Sequence, residues 1–304
     1  MNARPFKGLG KLEILYEKLN KIHTEAENYG LLIFAADNGI SHENCSIYPA
    51  MSSAEIVYSH LEGKSPTVKL LQRLNKNELI VDVGLARQIS HPEILERNVC
   101  MGSRNFLHSD ALEQIEARQA IEIGRSLWDE NYISNFDIIG IGEIGVGNTV
   151  CAAALASVLT GVEIAEMVGR GSASAKVIDK KVDIISKART VRCPSKDNVL
   201  DLLARFGGLE IAALTGFISR APEKNRAIML DGYVTAVAAL LASKIDEEVP
   251  AFLITPSLSV EPGHHIVLEH LGQEAIFDLD INHGEGLAAL IGLFFAEMAM
   301  RFLA

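Results

Sequence analysis

The sequence predicts an α/β protein, with an open, mostly parallel β-sheet covered by helices on both faces. Five short runs are almost continuously apolar and rich in β-branched residues, which is typical of parallel strands buried on both sides. Segments with helical spacing of apolar residues separate these runs, and this alternation indicates a parallel sheet. With 304 residues and 48% hydrophobic composition, the chain can bury a large core.

The expected elements follow one another along the whole chain. An amphipathic helix comes first, with Leu12, Leu15, Leu19 and Ile22 on one face. The expected strands are 31–37, 78–85, 136–145, 227–232 and 251–257. The expected helices between them are 54–61, 110–130, 149–159, 175–188, 209–221 and 232–244. The apolar run 286–300 is interrupted by Glu297 and is shorter than the ~20 residues of a membrane span, so it predicts a buried helix.

Composition excludes several function classes. A formal net charge of -11, a pI near 5.3 and the lack of a basic stretch argue against nucleic acid as a partner. The four cysteines are far apart and form no metal-ligand spacing, which favours free thiols in a reducing compartment and no structural zinc. The first residues contain no apolar signal segment. We therefore expect a cytoplasmic protein that does not bind a membrane.

A glycine-rich turn follows the third expected strand. Gly142, Gly145 and Gly147 precede Asn148 and Thr149, which open a helix of small residues. Backbone N–H groups at such a helix start suit a phosphate, although a tight strand-to-helix turn has the same pattern. The spacing differs from the dinucleotide fingerprint, and the Walker lysine is absent. A second glycine-rich element, 169–185, brings basic side chains to this acidic protein and would strengthen a phosphate site.

Near the C-terminus, Glu285 stands between Gly284 and Gly286 before an apolar run. In one interpretation it lies in the first turn of a helix, where its charge offsets the helix dipole. In the other, the glycines let a ligand approach and Glu285 acts as a base. The local sequence alone favours the first interpretation.

Ten motifs in order resemble the nicotinate-nucleotide:dimethylbenzimidazole phosphoribosyltransferase family. They are FAADNGI (34–40), IYPAMSSAEIV (47–57), VDVGL (81–85), GSRNF (102–106), GEIGVGNTVCAAAL (142–155), GRG (169–171) with KKVDII (180–185), GGLEIAALTGF (207–217), LDGYVTAVAALLA (230–242), TPSLSVEPGHHIVLEHL (255–271) and HGEG (283–286). The resemblance implies transfer of 5-phosphoribosyl from nicotinate mononucleotide to an aromatic base in cobamide synthesis, with inversion to the α anomer. It implies no cofactor and no metal.

The resemblance also implies a domain organisation. A Rossmann-like α/β domain would span residues 25–280, and a small helical domain would combine residues 1–24 with 281–304. Members of the family usually work as homodimers. A small-molecule donor and acceptor would be the other partners.

Residue roles follow from the same resemblance. Glu285 matches the general base, and we expect its partly apolar pocket to raise its pKa. The residues that match the nucleotide and phosphate site are Glu143, Gly145, Asn148, Thr149, Lys181, Ser259 and Gly284. The residues that match the acceptor-base pocket are Tyr48, Met51, Ile56, Asn38 and His283.

Departures from the family pattern leave alternatives open. The family often has Asp-His-Gly where this chain has Asp37-Asn38-Gly39, and an Arg-Leu pair where this chain has Asn282 and His283. Because the acceptor side departs most, the chain could accept a phenol or p-cresol as one subunit of a heterodimer. It could instead be the non-catalytic partner of such a heterodimer, or bind a nucleotide without transferase chemistry. A base pocket filled by Tyr48 and Met51 would favour the non-catalytic partner.

Overall fold

The computed structural model describes residues 8–172 and 175–303 and contains one six-stranded, fully parallel sheet. The strand order is β3-β2-β1-β4-β5-β6, and a separate parallel pair joins β7 to β8. The strands are β1 Tyr29–Ala36, β2 Glu78–Gly84, β3 Ile94–Glu96, β4 Ile138–Ile144, β5 Ala227–Met229, β6 Leu253–Ile254, β7 Ser257–Leu258 and β8 Phe277–Asp278.

Fourteen α-helices surround these strands in the described residues. They are α1 Lys11–Lys21, α2 Ser53–Leu61, α3 Pro66–Leu74, α4 Gln114–Ser126, α5 Asn131–Ser134, α6 Asn148–Thr160, α7 Ile164–Met167, α8 Ile178–Arg192, α9 Val199–Phe206, α10 Leu209–Ser219, α11 Ala221–Lys224, α12 Tyr233–Ile245, α13 Pro262–His270 and α14 Leu287–Leu303. Short 3₁₀ turns lie at Gly39–Glu43, Leu127–Asp129, Ala175–Val177 and Val249–Phe252. None of the helices in this part of the chain has the length and hydropathy of a membrane span.

Both faces of the sheet are buried, which confirms the predicted fold class. Along β1, Leu32 and Phe34 belong to one hydrophobic cluster, and Leu31 and Ile33 belong to another, because successive side chains point to opposite faces. Helices α4, α6, α8, α9, α10, α12 and α13 cover the first face. Helices α1, α2, α3 and α14 cover the second.

All five expected strands are present, but the last two are shorter than expected. Residues 227–232 contain β5, and residues 251–257 contain β6 and only the first residue of β7, because the chain turns away from the six-stranded sheet before Asp231 and after Ile254. Leu230 N still donates to the Ile254 carbonyl at 2.8 Å. Strands β3, β7 and β8, each two or three residues long, were not expected from the sequence.

The strand order reverses between β1 and β4, which lie side by side with Phe34 opposite Glu143. In parallel sheets a crevice opens beyond the carboxyl ends of strands at such a point. The fold therefore directs attention to the segments that follow β1 and β4.

The helices from the two chain ends, α1 and α14, pack against each other, and α14 also contacts β1, β4 and β5. The division into a domain of residues 25–280 and a small domain of residues 1–24 and 281–304 stays a prediction. Residues 1–7 and 304 of that small domain lie outside the described residues.

Candidate active site

Two adjoining cavities lie at the carboxyl edge of the sheet. The first, of about 320 Å³, is lined by the turn that joins β4 to α6, by Asp231 after β5 and by the loop before α14. The second, of about 550 Å³, is lined by residues between the first 3₁₀ turn and α3. Four residues line both cavities: Tyr48, Ile56, His283 and Glu285.

Most of the expected site residues meet at these cavities. The first cavity alone is lined by Glu143, Gly145, Asn148, Thr149, Ser259 and Gly284, and the second alone by Met51. Tyr48 is 44% exposed and lies in the walls of both cavities. Neither Tyr48 nor Met51 fills the space beside Glu285, so the feature that would favour a non-catalytic partner is absent.

Asn38 does not line either cavity. It is fully buried, and its Nδ2 donates to Glu210 Oε1 at 2.8 Å. Ser103 Oγ donates to Asn38 Oδ1 at 3.4 Å. Asn38 thus lies beneath the turn that carries Gly145.

Lys181 lies one layer behind the first cavity. Its side chain is buried, and Nζ donates to the Gly169 carbonyl at 3.0 Å. Burial lowers the pKa of this ammonium group, and the charge of Glu261 partly opposes the effect. Gly171, which lies next to Lys181 Nζ, does line the first cavity. Residues 173–174 of the expected basic element lie outside the described residues.

The backbone around Glu285 rules out the helix-start interpretation. Gly284, Glu285 and Gly286 have φ values of 72°, 57° and 75°, all in the left-handed region. Helix α14 begins only at Leu287. Because a non-glycine residue in this conformation costs roughly 1 to 3 kcal/mol, the surrounding structure must hold Glu285 in place.

Asp231 provides part of that hold. Its Oδ2 accepts a hydrogen bond from Gly286 N at 3.1 Å, and its Oδ1 accepts from Ala288 N at 2.8 Å and from Ala289 N at 3.3 Å. The carboxylate therefore caps the free N–H groups at the start of α14. Burial raises the pKa of Asp231, although these three backbone bonds act to lower it.

Strand β4 passes directly against the same loop. A Cβ on Gly142 would lie 2.6 Å from Gly286 N, so a side chain at this position would displace the loop. Asn282 Nδ2 donates to the Gly171 carbonyl at 3.2 Å and connects the loop to the far wall of the first cavity. Glu285 and the glycine-rich turn thus lie in one cleft, although more than a hundred residues separate them in the chain.

Three side chains surround one oxygen of the Glu285 carboxylate. His60 Nε2 lies 2.7 Å from Oε2, and Ser65 Oγ donates to Oε2 at 2.9 Å. His283 Nε2 lies 3.3 Å from Oε2, as an ion pair rather than an aligned hydrogen bond. Burial acts to raise the pKa of Glu285, but His283 and His60 outweigh it and lower this pKa to about 2. The expected upward shift is therefore wrong for the protein without ligand.

His60 was not identified from the sequence. It is 2% exposed on α2, on the same face as Val57, and its Nδ1 lies 3.0 Å from Glu78 Oε1 at the start of β2. Burial acts to lower the pKa of His60, but Glu285 and Glu78 raise it to about 9. The only signal in the sequence was a histidine on the apolar face of a helix, which more often marks a core residue.

Glu143 lies at the cavity wall, and its Oε2 accepts a hydrogen bond from Asn148 Nδ2. Burial raises its pKa well above the usual value, and the charges of Asp231 and Glu210 add to this effect. The neutral form of Glu143 is favoured. A negatively charged ligand in the first cavity therefore meets less repulsion than the number of carboxyl groups indicates.

The turn that contains Ser259 is fixed by His264. Ser259 N donates to His264 Nδ1 at 3.0 Å, and Ser259 Oγ lies 3.0 Å from the same nitrogen. Burial lowers the pKa of His264 to about 3, so the ring is neutral and its Nδ1 is the acceptor. Glu261 Oε1 accepts from Gly171 N at 2.7 Å and anchors the opposite wall.

A family model described as Phosphoribosyltransferase (DBI_PRT) matches residues 1–304. This chain belongs to that phosphoribosyltransferase family. Among its relatives, the nicotinate-nucleotide--dimethylbenzimidazole phosphoribosyltransferase of Roseiflexus castenholzii is 31% identical, over 99% of this chain and 87% of the relative. The protein of the same name from Dehalococcoides mccartyi (strain ATCC BAA-2100) is 32% identical, over 98% of this chain and 86% of the relative.

Solved structures agree with this membership. The crystal structure of CobT from Thermus thermophilus has a TM-score of 0.92 and 29% sequence identity, and the match covers 99% of this chain and 92% of that one. The comparisons confirm the resemblance drawn from the ten motifs. The two adjoining cavities that share Glu285 give this family member space for two ligands side by side.

Proposed function

We propose that this phosphoribosyltransferase moves the 5-phosphoribosyl group of nicotinate mononucleotide to a benzimidazole-type base, releases nicotinate and forms an α-linked nucleotide for cobamide synthesis. The names of the relatives support this choice of substrates. One observation carries the proposal: the Glu285 carboxylate lies in the wall shared by two adjoining cavities. One cavity would hold the donor and the other the acceptor.

The phosphate of the donor would bind at the start of α6. Asn148 and Thr149 form the first turn of this helix and line the first cavity, and Gly147 before them has a φ of 94°. Free N–H groups and the helix dipole favour an anion at such a place. Lys181 is buried behind Gly171 and adds positive charge at the same end of the cavity.

The ribose would then lie between Glu143, Asp231 and Glu285. During the transfer, the bond between C1′ and the nicotinate nitrogen breaks, and an acceptor nitrogen forms the new bond on the opposite face of the ribose. Positive charge grows on the ribosyl group in the transition state, as in other glycosyl transfers. Carboxyl oxygens fixed around the ribose stabilise this charge, because they need not reorganise during the reaction.

Glu285 would accept the proton from the second nitrogen of the acceptor ring. The lowered pKa of about 2 keeps this carboxylate ionised at neutral pH, as a proton acceptor must be. It also favours an acceptor whose proton becomes acidic during attack. A ring nitrogen meets this requirement, since attack by its partner nitrogen makes the ring cationic. A phenol with a pKa near 10 would leave proton transfer to Glu285 uphill by on the order of 10 kcal/mol.

Release of nicotinate tests the proposal directly. The purified chain is incubated with nicotinate mononucleotide and, in separate reactions, 5,6-dimethylbenzimidazole or p-cresol. We expect rapid release with the benzimidazole and little with p-cresol. Absence of release with either acceptor would contradict the proposed function. Faster release with p-cresol would reassign the acceptor.

Glu285→Gln tests the assigned base. The substitution keeps the shape of the side chain but removes the proton acceptor, so we expect kcat to fall by about 10²-fold to 10⁴-fold. Binding of nicotinate mononucleotide, measured by calorimetry, should change little. Glu269→Gln is the matched control, because Glu269 is 64% exposed and forms its ion pair with His265 on the same helix. Normal turnover by Glu285→Gln would show that another group is the base.

The assembly and the place of action are also part of the proposal. We propose a homodimer in the cytoplasm, in which residues 1–24 and 281–304 form a small helical domain beside the α/β domain. Unpaired thiols at all four cysteines support a reducing compartment. The molar mass measured by light scattering, as the protein elutes from a size-exclusion column, tests the dimer. A mass of about 33 kDa, the mass of one chain, would contradict it.

A further inference from the structure

His60 connects two carboxylates that come from distant parts of the chain. Its Nδ1 lies 3.0 Å from Glu78 Oε1 and 3.2 Å from Glu78 Oε2, and its Nε2 lies 2.7 Å from Glu285 Oε2. An ionised carboxylate only accepts hydrogen bonds, so both ring nitrogens must donate. Only the doubly protonated imidazolium has two N–H groups. A charged His60 between the two acids therefore satisfies both contacts.

Charged and polar side chains from other elements face the buried His60 ring. It is 2% exposed, and the titratable groups that face it are Glu78 from β2 and Glu285 and His283 from the loop before α14. Ser65, the N-cap of α3, donates to the same Glu285 oxygen that His60 contacts. Its Oγ also accepts a hydrogen bond from Thr67 N at 3.2 Å. The imidazole ring is thus fixed from both ends.

These contacts select one oxygen of Glu285. Within residues 8–172 and 175–303, the bonds from His60 and Ser65 and the approach of His283 all end on Oε2. Oε1 remains available to a ligand. An oriented carboxylate that presents a single oxygen has a defined path for proton transfer.

We infer that His60, held as an imidazolium by Glu78, is a positioning residue that fixes Glu285 through Oε2 and presents Oε1 to the proton of the acceptor base. The inference rests on the proposed function, in which Glu285 is the general base. The proton moves from the ring nitrogen of the acceptor to Oε1, while His60 keeps both of its protons. His60 touches neither substrate, and it acts only through Glu285.

The positioning role also has a pH signature. Without the imidazolium, the pKa of Glu285 rises from about 2, because burial acts in that direction and His60 no longer opposes it. A higher pKa reduces the ionised fraction of the base as the pH falls. The acidic limb of kcat/KM should therefore move to higher pH in a variant that lacks the charge of His60.

Steady-state kinetics of the full chain test the inference. His60→Gln keeps a donor near Glu285 without the charge, and Glu78→Gln removes the anion that holds the imidazolium. We expect kcat to fall by about 10-fold to 100-fold in His60→Gln and by less in Glu78→Gln, while KM for nicotinate mononucleotide stays within about twofold. The ratio of variant to wild-type kcat/KM should fall as the pH is lowered from 8 to about 5. The ionisation of the substrates affects kcat/KM of both proteins equally, so it cancels in this ratio.

His265→Gln is the matched control, because its imidazole is 66% exposed and forms its ion pair with the exposed Glu269. We expect wild-type kinetics from it. If His60→Gln fails to fold, as judged by circular dichroism, Glu78→Gln carries the test. Folded variants with wild-type kcat and a ratio independent of pH would overturn the inference alone. An inactive wild-type chain would overturn the proposed function, and with it this inference.

Discussion

At the scale of single residues, Glu285 has a conformation that its side chain does not favour. A left-handed backbone between two left-handed glycines costs free energy, yet it directs the carboxylate into the wall shared by both cavities. The hydrogen bonds from Gly286 and α14 to Asp231 offset this cost. The position of Glu285 is thus held by a buried acid that lies fifty-four residues earlier in the chain.

Substitution of Asp231 tests whether its hydrogen bonds stabilise the loop that carries Glu285. Asp231→Asn keeps one acceptor oxygen but turns an NH₂ group toward one of the backbone N–H groups. We expect the free energy of unfolding to fall by about 1 to 3 kcal/mol, because buried donors lose a charged partner. Urea denaturation measures the change. Asp183→Asn, at an exposed site on α8, is the control and should change stability by less than about 0.5 kcal/mol. Equal stability of the two variants would contradict the assigned role of Asp231.

At the scale of elements, helices α4 and α10 cross at glycines on both sides. A methyl group on Gly124 would overlap the Ala213 carbonyl, and one on Gly216 would overlap the Ile121 carbonyl. Both obstacles are backbone atoms, so neither can move aside by a change of rotamer. The two helices therefore approach more closely than larger side chains would permit.

Gly124→Ala tests this contact. Alanine favours a helix by about 1 kcal/mol over glycine, so a free site would be stabilised. Here we expect the free energy of unfolding to fall by about 1 to 3 kcal/mol or more, because the methyl group separates the helices. Gln119→Ala, on the exposed face of α4, is the control and should be nearly neutral. Thermal unfolding followed by circular dichroism measures both, and a higher melting temperature for Gly124→Ala would contradict the close packing.

The elements also show what the sequence could and could not predict. Strands β1, β2 and β4, each seven or eight residues long, were predicted from their continuous apolar runs. Strand β3 has only three residues at the edge of the sheet, too few for periodicity to be measured. The turn from Gly145 to Thr149 and the loop around Glu285 were predicted as site segments from motifs. His60 was not, because its partners lie 18 and 225 residues away and only the fold brings them together.

Asn38 shows a different limit of prediction from sequence motifs. The motif that contains it follows β1, and the resemblance assigned it to the acceptor pocket. The structure turns the side chain inward, where its Nδ2 binds Glu210 beneath the glycine-rich turn. A motif locates the strand end correctly, but it does not determine to which side a residue within the turn points.

At the scale of the whole molecule, acids are concentrated at one edge of the sheet. Burial raises the pKa of Glu210 from the ordinary value of 4.5 to about 7, and Glu143 and Asp231 shift in the same direction. Each of these groups stabilises the fold most fully below its unfolded pKa and loses that stabilisation as the pH rises through its folded pKa. His60 acts in the same sense, from 6.5 in the unfolded chain to about 9 in the folded one.

The pKa shift of Glu285 changes stability with pH in the opposite direction. Its stabilisation is present above the ordinary value of 4.5 and is lost as the pH falls through about 2. The contributions of these groups together are therefore largest near pH 5 and decrease from there toward pH 9. Each group buried as strongly as Glu210 or His60 contributes on the order of 1 to 3 kcal/mol to this decrease.

His264, whose pKa falls from 6.5 to about 3 on folding, acts in the opposite sense, but its contribution is complete above about pH 7. The melting temperature should therefore fall as the pH rises from about 7 to 9 at constant ionic strength, as measured by differential scanning calorimetry. Relative to the unmodified chain, Glu210→Gln should lose less stability between pH 4.5 and 7, since the amide does not titrate. His60→Gln should remove the part between pH 6.5 and 9, since the imidazolium that loses its proton there is gone. A melting temperature that rises toward pH 9 in the unmodified chain would show that charges elsewhere outweigh this cluster. Two variants with the same pH profile would show that Glu210 and His60 do not titrate in the separate ranges that their surroundings require.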